Sequence, residues 1–183
     1  YSLKPKTSPN LFELAEISSG IISIIGDVKD KDKMKEIIQE HKPEIIFHLA
    51  AQALVLEGYS NPIDTFETNI MGTANILESI RDNQNVRAFI GVTSDKCYEN
   101  NDKSKPFSEE DSLGGNDPYS SSKACAELVI NAYNKSFFEI SQNNINCGIA
   151  SVRAGNVIGG GDWSPNRLVP DCINSLERGE DIL

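Results

Sequence analysis

The sequence predicts an α/β fold, a doubly wound parallel sheet, from three observations. Short β-branched runs alternate with longer segments, the longer segments carry apolar residues at helical spacing, and the residues directly after the runs are small or polar. Residues 21–25, IISII, form the first expected strand, and residues 31–41 the first helix, with Met34, Ile37 and Ile38 on one stripe. Residues 45–49 read as the next strand, and 64–82 as a crossover helix through Ile70, Ala74 and Leu77. A strand over 88–93 precedes a polar loop over 99–116. Asp117 then supplies a helix N-cap and Pro118 the first helical position. The stripe Ala124, Leu128, Ala132 and Tyr133 carries that helix to about Phe138. Residues 147–152 give the last strand, and a shorter helix is expected after Pro170.

At 183 residues the chain has room for one domain rather than two. Seventeen Lys and Arg against 27 Asp and Glu give a formal charge of −10, which argues against a protein that tracks nucleic-acid phosphates with a basic face. No run approaches the roughly 18 apolar residues of a membrane span, and residues 1–10 lack the apolar core of a signal peptide, so a cytoplasmic protein without membrane contact is expected. Cys97, Cys125, Cys147 and Cys172 lie far apart without a CxxC pair, so reduced thiols are expected rather than a metal site or a disulfide framework. No internal repeat stands out. The chain starts at Tyr1 and stops just after a helix-like run, so it is expected to be a piece of something longer.

Open α/β sheets bind ligands beyond the carboxyl ends of their strands. The residues found there are Gly26-Asp27-Val28, Ala50-Ala51-Gln52, Ser94-Asp95-Lys96 and Arg153-Ala154-Gly155-Asn156. Small residues let a flat ligand approach the backbone, and an Asp after a strand can accept hydrogen bonds from a ribose or adenine. Tyr119 and Lys123 stand four apart at the start of a helix and share one face. An ammonium held beside a phenol favours the phenolate, which makes the tyrosine a usable base near neutral pH. A strand ending in a hydroxyl, a carboxylate and an ammonium, followed by such a Tyr/Lys pair, points to hydride chemistry on an alcohol.

Five stretches carry a resemblance to a known family: HLAAQ at 48–52, TNIMGT at 68–73, VTSDKCYEN at 92–100, DPYSSSKACAE at 117–127 and RAGNVIGGGDW at 153–163. They resemble the extended short-chain dehydrogenase/reductase family, and within it the nucleotide-sugar 4,6-dehydratases. The resemblance implies a Rossmann-like sheet truncated at both ends. Residues 1–160 would be a partial NAD-binding domain and 161–183 the start of the nucleotide-sugar region, with the glycine-rich phosphate turn lying upstream of Tyr1. It implies NAD as cofactor, a nucleotide-activated hexose, most closely CDP-glucose, as substrate, and a homodimer assembled through the helices at 64–82 and 118–138. Tyr119 would take the proton from the sugar C4 hydroxyl, Lys123 would hold the nicotinamide ribose, and Ser94 would bond the C4 oxygen. Asp95 would protonate the leaving C6 hydroxyl, and Lys96, buried near Tyr119, would manage the C5 proton. Asp27 and Val28 would meet the adenine, Leu49, Ala50 and Ala51 would line the cofactor, and Asn156 with Arg167 would face the substrate diphosphate. The resemblance also sets the isolated chain down as inactive and a poor binder of NAD.

In the resembling family the dTDP-glucose dehydratases carry Asp-Glu where this chain has Asp95-Lys96, and the segment at 53–57 lacks the basic residue expected near Leu56. A nucleotide-sugar 4-epimerase, another sugar-nucleotide 4,6-dehydratase and an inactive nucleotide-binding module remain as alternatives, the first disfavoured by Asp95-Lys96. His48, amid apolar residues, reads as structural. The glycines at 159–161 open no helix and read as a substrate-loop turn rather than a phosphate cradle. Trp163 is balanced between packing and stacking on a base or sugar.

Overall fold

A computed structural model of the chain describes residues 1–100, 105–139 and 147–182. In chain order its elements are α1 (Leu11–Leu14), α2 (Lys31–His41), β1 (Ile45–His48), α3 (Val55–Ser60) and α4 (Pro62–Phe66). They continue with α5 (Gly72–Ile80), β2 (Ala88–Val92), α6 (Pro118–Tyr133), β3 (Gly148–Val152) and α7 (Leu168–Arg178). Two compact units result, one of Val28–Gly155 and the other of Tyr1–Asp27 with Asn156–Leu183.

The larger unit holds a parallel sheet of order β1-β2-β3, with Phe47 opposite Ile90 and Ile90 opposite Ala150. Alternation along each strand sends His48, Phe89, Gly91 and Ser151 to one face, which α5 and α6 cover. His48 bonds Thr73 of α5, a Cβ on Gly91 would lie 2.5 Å from Ile130 Cδ1 of α6, and Ser151 bonds Glu127. Phe89, Leu77 and Ile80 are fully buried at this seam. On the other face Ile45, Phe47 and Val152 are exposed, whereas the sequence led us to expect helices on both sides. The order of the strands still puts the carboxyl ends of all three side by side.

The expected strands at 45–49, 88–93 and 147–152 form within one residue of their bounds, but 21–25 does not. Its one bridge joins Ile25 to Ser2, through Ser2 N–H to the Ile24 carbonyl at 3.1 Å and Gly26 N–H to the Ser2 carbonyl at 2.9 Å. β propensity supplies the apolar residues of a strand but not a partner, and one bridged residue makes no ladder. The helix expected over 64–82 begins two residues earlier, with Pro62 at its first position, and is interrupted over Glu67–Met71 by a π turn whose last bond runs from Gly72 N–H to the Glu67 carbonyl. α6 carries on through a second π turn to Phe138. α7 starts at Leu168, so Pro170 sits in the first turn, where its missing N–H costs nothing. Among the described residues no helix is long and apolar enough to cross a membrane.

Candidate active site

Ser94 follows β2 in extended conformation and caps a short 3₁₀ turn over Asp95–Cys97. Its hydroxyl accepts from Lys96 N–H at 3.2 Å and donates to Asp95 Oδ1 at 3.1 Å, so the serine is buried and aimed by the turn it begins. Two backbone bonds pin the turn to β3: Thr93 N–H to the Val152 carbonyl and Asp95 N–H to the Ala154 carbonyl, both 2.9 Å. Asp95 and Lys96 themselves are exposed, so the burial expected of Lys96 is not a property of this chain.

α6 packs against that turn. Asp117 caps it through Oδ1, which accepts from Ser120 N–H at 3.0 Å, and this fixes the first turn, where Tyr119 is 8% exposed. One turn on, Lys123 is 7% exposed and donates from Nζ to the Val92 carbonyl at 3.2 Å. That single bond leaves two donor positions on the ammonium for hydroxyls of a bound ligand. Burial pulls the Lys123 pKa below the ordinary lysine value, and the Glu127 carboxylate further along α6 opposes that pull.

Residues that sequence reasoning passed over hold these groups together. Within the π turn, Asn69 accepts from Gln52 N–H at 2.8 Å and donates to the Gln52 carbonyl at 3.0 Å and to Ser122 Oγ at 2.8 Å. Ser122 in turn donates to the Tyr119 carbonyl at 2.7 Å. The segment after β1 is thereby tied to the helix turn bearing Tyr119. Asn69 lay within TNIMGT, yet only a buried amide in an apolar helix stripe could have singled it out.

Gly115 is the other silent support. Its φ is +155°, and a Cβ there would lie 2.5 Å from Ser121 N and 2.6 Å from the Ser120 carbonyl carbon, both backbone atoms of α6. Gly115→Ala is therefore expected to push the start of α6 away and to cost about 1–3 kcal/mol of stability. Gly159→Ala, where nothing lies within 4 Å, should be close to neutral. Thermal unfolding of the two variants checks this, and equal melting temperatures would contradict it.

His48 is buried beneath the site. The Thr73 hydroxyl donates to the Asn69 carbonyl at 2.7 Å, so His48 Nε2 must be the donor in its 2.9 Å bond to Thr73 Oγ1, and buried Nδ1 has no partner. Burial first, and then the Lys123 charge, push the imidazole pKa down to about 4. Because the folded value lies below the unfolded value near 6.5, neutral His48 contributes fully above pH 6.5, and that contribution is lost as pH falls toward about 4. Denaturant unfolding at a series of pH values should show a loss on the order of 3 kcal/mol over that window, because each tenfold difference in proton affinity between folded and unfolded states is worth about 1.4 kcal/mol. His48→Gln should abolish that slope. Identical pH profiles for the two proteins would contradict the assignment.

Of the other expected contacts, Val28 packs against Gly72 of α5, and its carbonyl accepts from Asn75 Nδ2 at 2.9 Å. Leu49 is exposed after β1, with Ala50 and Ala51 half-buried beside it. In the smaller unit, the Asp27 carbonyl accepts from Tyr1 Oη at 2.9 Å, Asn156 is exposed, and Arg167 Nε lies 3.6 Å from Asp162 Oδ2. Neighbouring strand ends thus carry small residues after β1 and a buried serine, phenol and ammonium after β2 and on α6. This donor set fits the nicotinamide-ribose end of a dinucleotide, a flat ring over small side chains with an ammonium for ribose hydroxyls.

A family model described as GDP-mannose 4,6 dehydratase matches residues 7–181. The chain belongs to that family. Its membership places it among the extended short-chain dehydrogenases/reductases, as the five sequence stretches led us to expect. Among curated relatives, a CDP-glucose 4,6-dehydratase of Salmonella typhimurium is 46% identical over 184 residues, covering 100% of this chain and 51% of that protein. A dTDP-D-glucose 4,6-dehydratase of Dictyostelium discoideum is 30% identical over 161 residues, covering 82% of this chain and 35% of its own length. Among solved structures, a dTDP-glucose 4,6-dehydratase double mutant from Streptomyces venezuelae, with NAD and DAU bound, superposes with a TM-score of 0.78 at 25% identity. That match covers 91% of this chain and 48% of the other. A UDP-glucose 4-epimerase from Thermotoga maritima with UDP-glucose gives a TM-score of 0.75 at 26% identity, covering 87% and 50%. The chain therefore spans about half the length of the curated relative that matches it end to end.

Proposed function

We propose that the protein carrying this chain is an NAD-dependent nucleotide-sugar 4,6-dehydratase, a lyase that converts CDP-glucose to CDP-4-keto-6-deoxyglucose and water. The observation that carries this reading is the single turn bearing Ser94, Asp95 and Lys96, packed against the helix bearing Tyr119 and Lys123. Oxidising an alcohol needs only the serine, tyrosine and lysine. Eliminating water also needs an acid for the departing hydroxyl, the role assigned to Asp95, and an epimerase has no use for one there. The 46% identity to the Salmonella enzyme supports CDP-glucose as the substrate.

When bound, NAD would be held by Lys123 and residues 49–51 and would supply the hydride acceptor for oxidation at C4 and the hydride for C6. Tyr119 takes the C4 hydroxyl proton, with Lys123 stabilising the phenolate and holding the ribose, and Ser94 donates to the developing carbonyl oxygen. With C4 a ketone, the C5 hydrogen is acidic. It passes as a proton to solvent beside exposed Lys96, whose ammonium stabilises the enolate; the C6–O bond breaks, and Asp95 gives its proton to the departing hydroxyl, releasing water, and regains one from solvent. Hydride at C6 and a proton at C5 complete the 4-keto-6-deoxy sugar. Asp27, Val28 and residues 49–51 are assigned to the cofactor, and Asn156 with Arg167 to the substrate diphosphate. We assign residues 161–183 to the start of the nucleotide-sugar region.

Exposed Leu56, Tyr59, Ile63 and Met71 recur along α3, α4 and the π turn, and Leu128 is exposed on α6. Of these, Met71 and Leu128 lie on the helices expected at 64–82 and 118–138, and they support assembly of two copies through those two helices, with an interface of standard size or larger. We set the protein in the cytoplasm.

Incubating the full-length protein with CDP-glucose and dTDP-glucose in parallel tests the reading by product mass. Loss of one water from CDP-glucose, faster than from dTDP-glucose, is the expected result. An isomer of unchanged mass would make the protein an epimerase, and no product from either would point to an inactive nucleotide-binding module.

A further inference from the structure

The carboxylate of Glu127 joins α6 to the carboxyl ends of β2 and β3. It is 5% exposed on α6, one turn beyond Lys123. Its Oε1 accepts from the Thr93 hydroxyl, and its Oε2 accepts from Ser151 Oγ at 2.8 Å and from Arg153 Nη2 at 2.9 Å. The Arg153 guanidinium lies over the Tyr98 ring, 4.9 Å from its centroid, and Tyr98 stacks on Phe107 at 4.6 Å. Thr93 and Tyr98 are the residues flanking the stretch from Ser94 to Cys97. One buried carboxylate therefore fastens both ends of the Ser94-Asp95-Lys96 turn to the helix carrying Tyr119 and Lys123, directly at Thr93 and through Arg153 at Tyr98. A buried charge is retained at this cost in desolvation only when its partners satisfy it, and the hydroxyls and guanidinium do so. They hold its pKa below the ordinary glutamate value against the burial that raises it.

We propose that Glu127 is a positioning residue that sets the elimination turn, with its Asp95 and Lys96, against the oxidising pair Tyr119 and Lys123. The proposal rests on the dehydratase reading. It assigns Glu127 no contact with substrate or cofactor: it acts through Thr93 and Arg153. Because α6 keeps its cap and its bond from Lys123 to β2 without Glu127, the oxidation half should survive its loss better than the elimination half.

The test uses the full-length protein with Glu127→Gln, which keeps the shape but cannot accept three bonds as a carboxylate does, and with Arg153→Met as a milder second variant. Single-turnover experiments with CDP-glucose compare the rate of C4 oxidation, read as reduced-cofactor absorbance, with the rate of water loss. The expected result is a fall in water loss of at least 10-fold relative to oxidation in Glu127→Gln, and a smaller fall of the same kind in Arg153→Met. Loss of folded protein alone would lower amplitudes but leave the ratio of the two rates unchanged, and an unchanged ratio overturns the proposal. Amide hydrogen exchange without substrate provides a readout that does not depend on the dehydratase reading. Exchange at Asp95, Cys97 and Tyr98 should rise at least 10-fold in the variants, while α5 amides stay protected. If wild type dehydrates no sugar but the turn still loosens, the functional reading fails and the positioning role stands. If the turn exchanges as in wild type, the positioning role fails.

Discussion

Tyr119→Phe in the full-length protein is expected to stop turnover before any reduced cofactor forms, with a loss of roughly 10² to 10⁴-fold, the usual worth of one acid–base group. The phenol is buried in the first turn of α6, where the Asp117 cap fixes the backbone and Asn69, through Ser122, braces the same turn from the other side. Removing one hydroxyl leaves all of these contacts in place. The variant should therefore fold and bind the nucleotide sugar as wild type does, and fail only at proton removal from the C4 hydroxyl. Absorbance of reduced cofactor in a single turnover checks it, and a normal burst from Tyr119→Phe would exclude the tyrosine as the base.

The opposite pattern is expected of Asp95→Asn and Lys96→Met. Both side chains are exposed on a turn whose backbone is anchored by Asp95 N–H on the Ala154 carbonyl, so neither substitution should disturb Ser94, Tyr119 or Lys123. The first hydride transfer should persist in both, and reduced cofactor should accumulate. An amide cannot protonate the departing C6 oxygen, so water loss in Asp95→Asn should fall by about 10² to 10⁴-fold. Lys96→Met should also block water loss, through loss of the cation that stabilises the enolate. Solvent-deuterium exchange at C5 separates the two, because Lys96→Met should slow it and Asp95→Asn should not. If Lys96→Met eliminates water at the wild-type rate, Lys96 is a structural cation only.

Much of this was legible in the sequence. The three strands are β-branched runs whose alternation is set by the pleat, and Asp117-Pro118 marks the start of α6 because capping chemistry is local. Ser94, Tyr119 and Lys123 stood out because their spacing from a strand end and along a helix carries chemical meaning. What escaped is what depends on partners distant in sequence. Residues 21–25 have strand composition but bridge only to Ser2. α3 begins at Val55 after Leu54, which makes no side-chain cap bond, so nothing local announced it. Asn69 and Glu127 are polar residues within helices, and such residues ordinarily face solvent. Their burial is decided by Gln52 and Ser122 in one case and by Thr93, Ser151 and Arg153 in the other. Gly115 lies in the loop expected over 99–116, and only the backbone of α6, set beside it by tertiary packing, leaves no room for a side chain there.

On the proposed mechanism one site oxidises C4, expels the C6 hydroxyl and returns the same hydride to C6. Feeding the full-length protein CDP-glucose deuterated at C4 and locating the label by NMR tests this without intermediaries. Deuterium is expected in the C6 methyl group of a 4-keto product, whereas label found back at C4 of an unchanged or inverted hexose, or lost to solvent, would refute the mechanism.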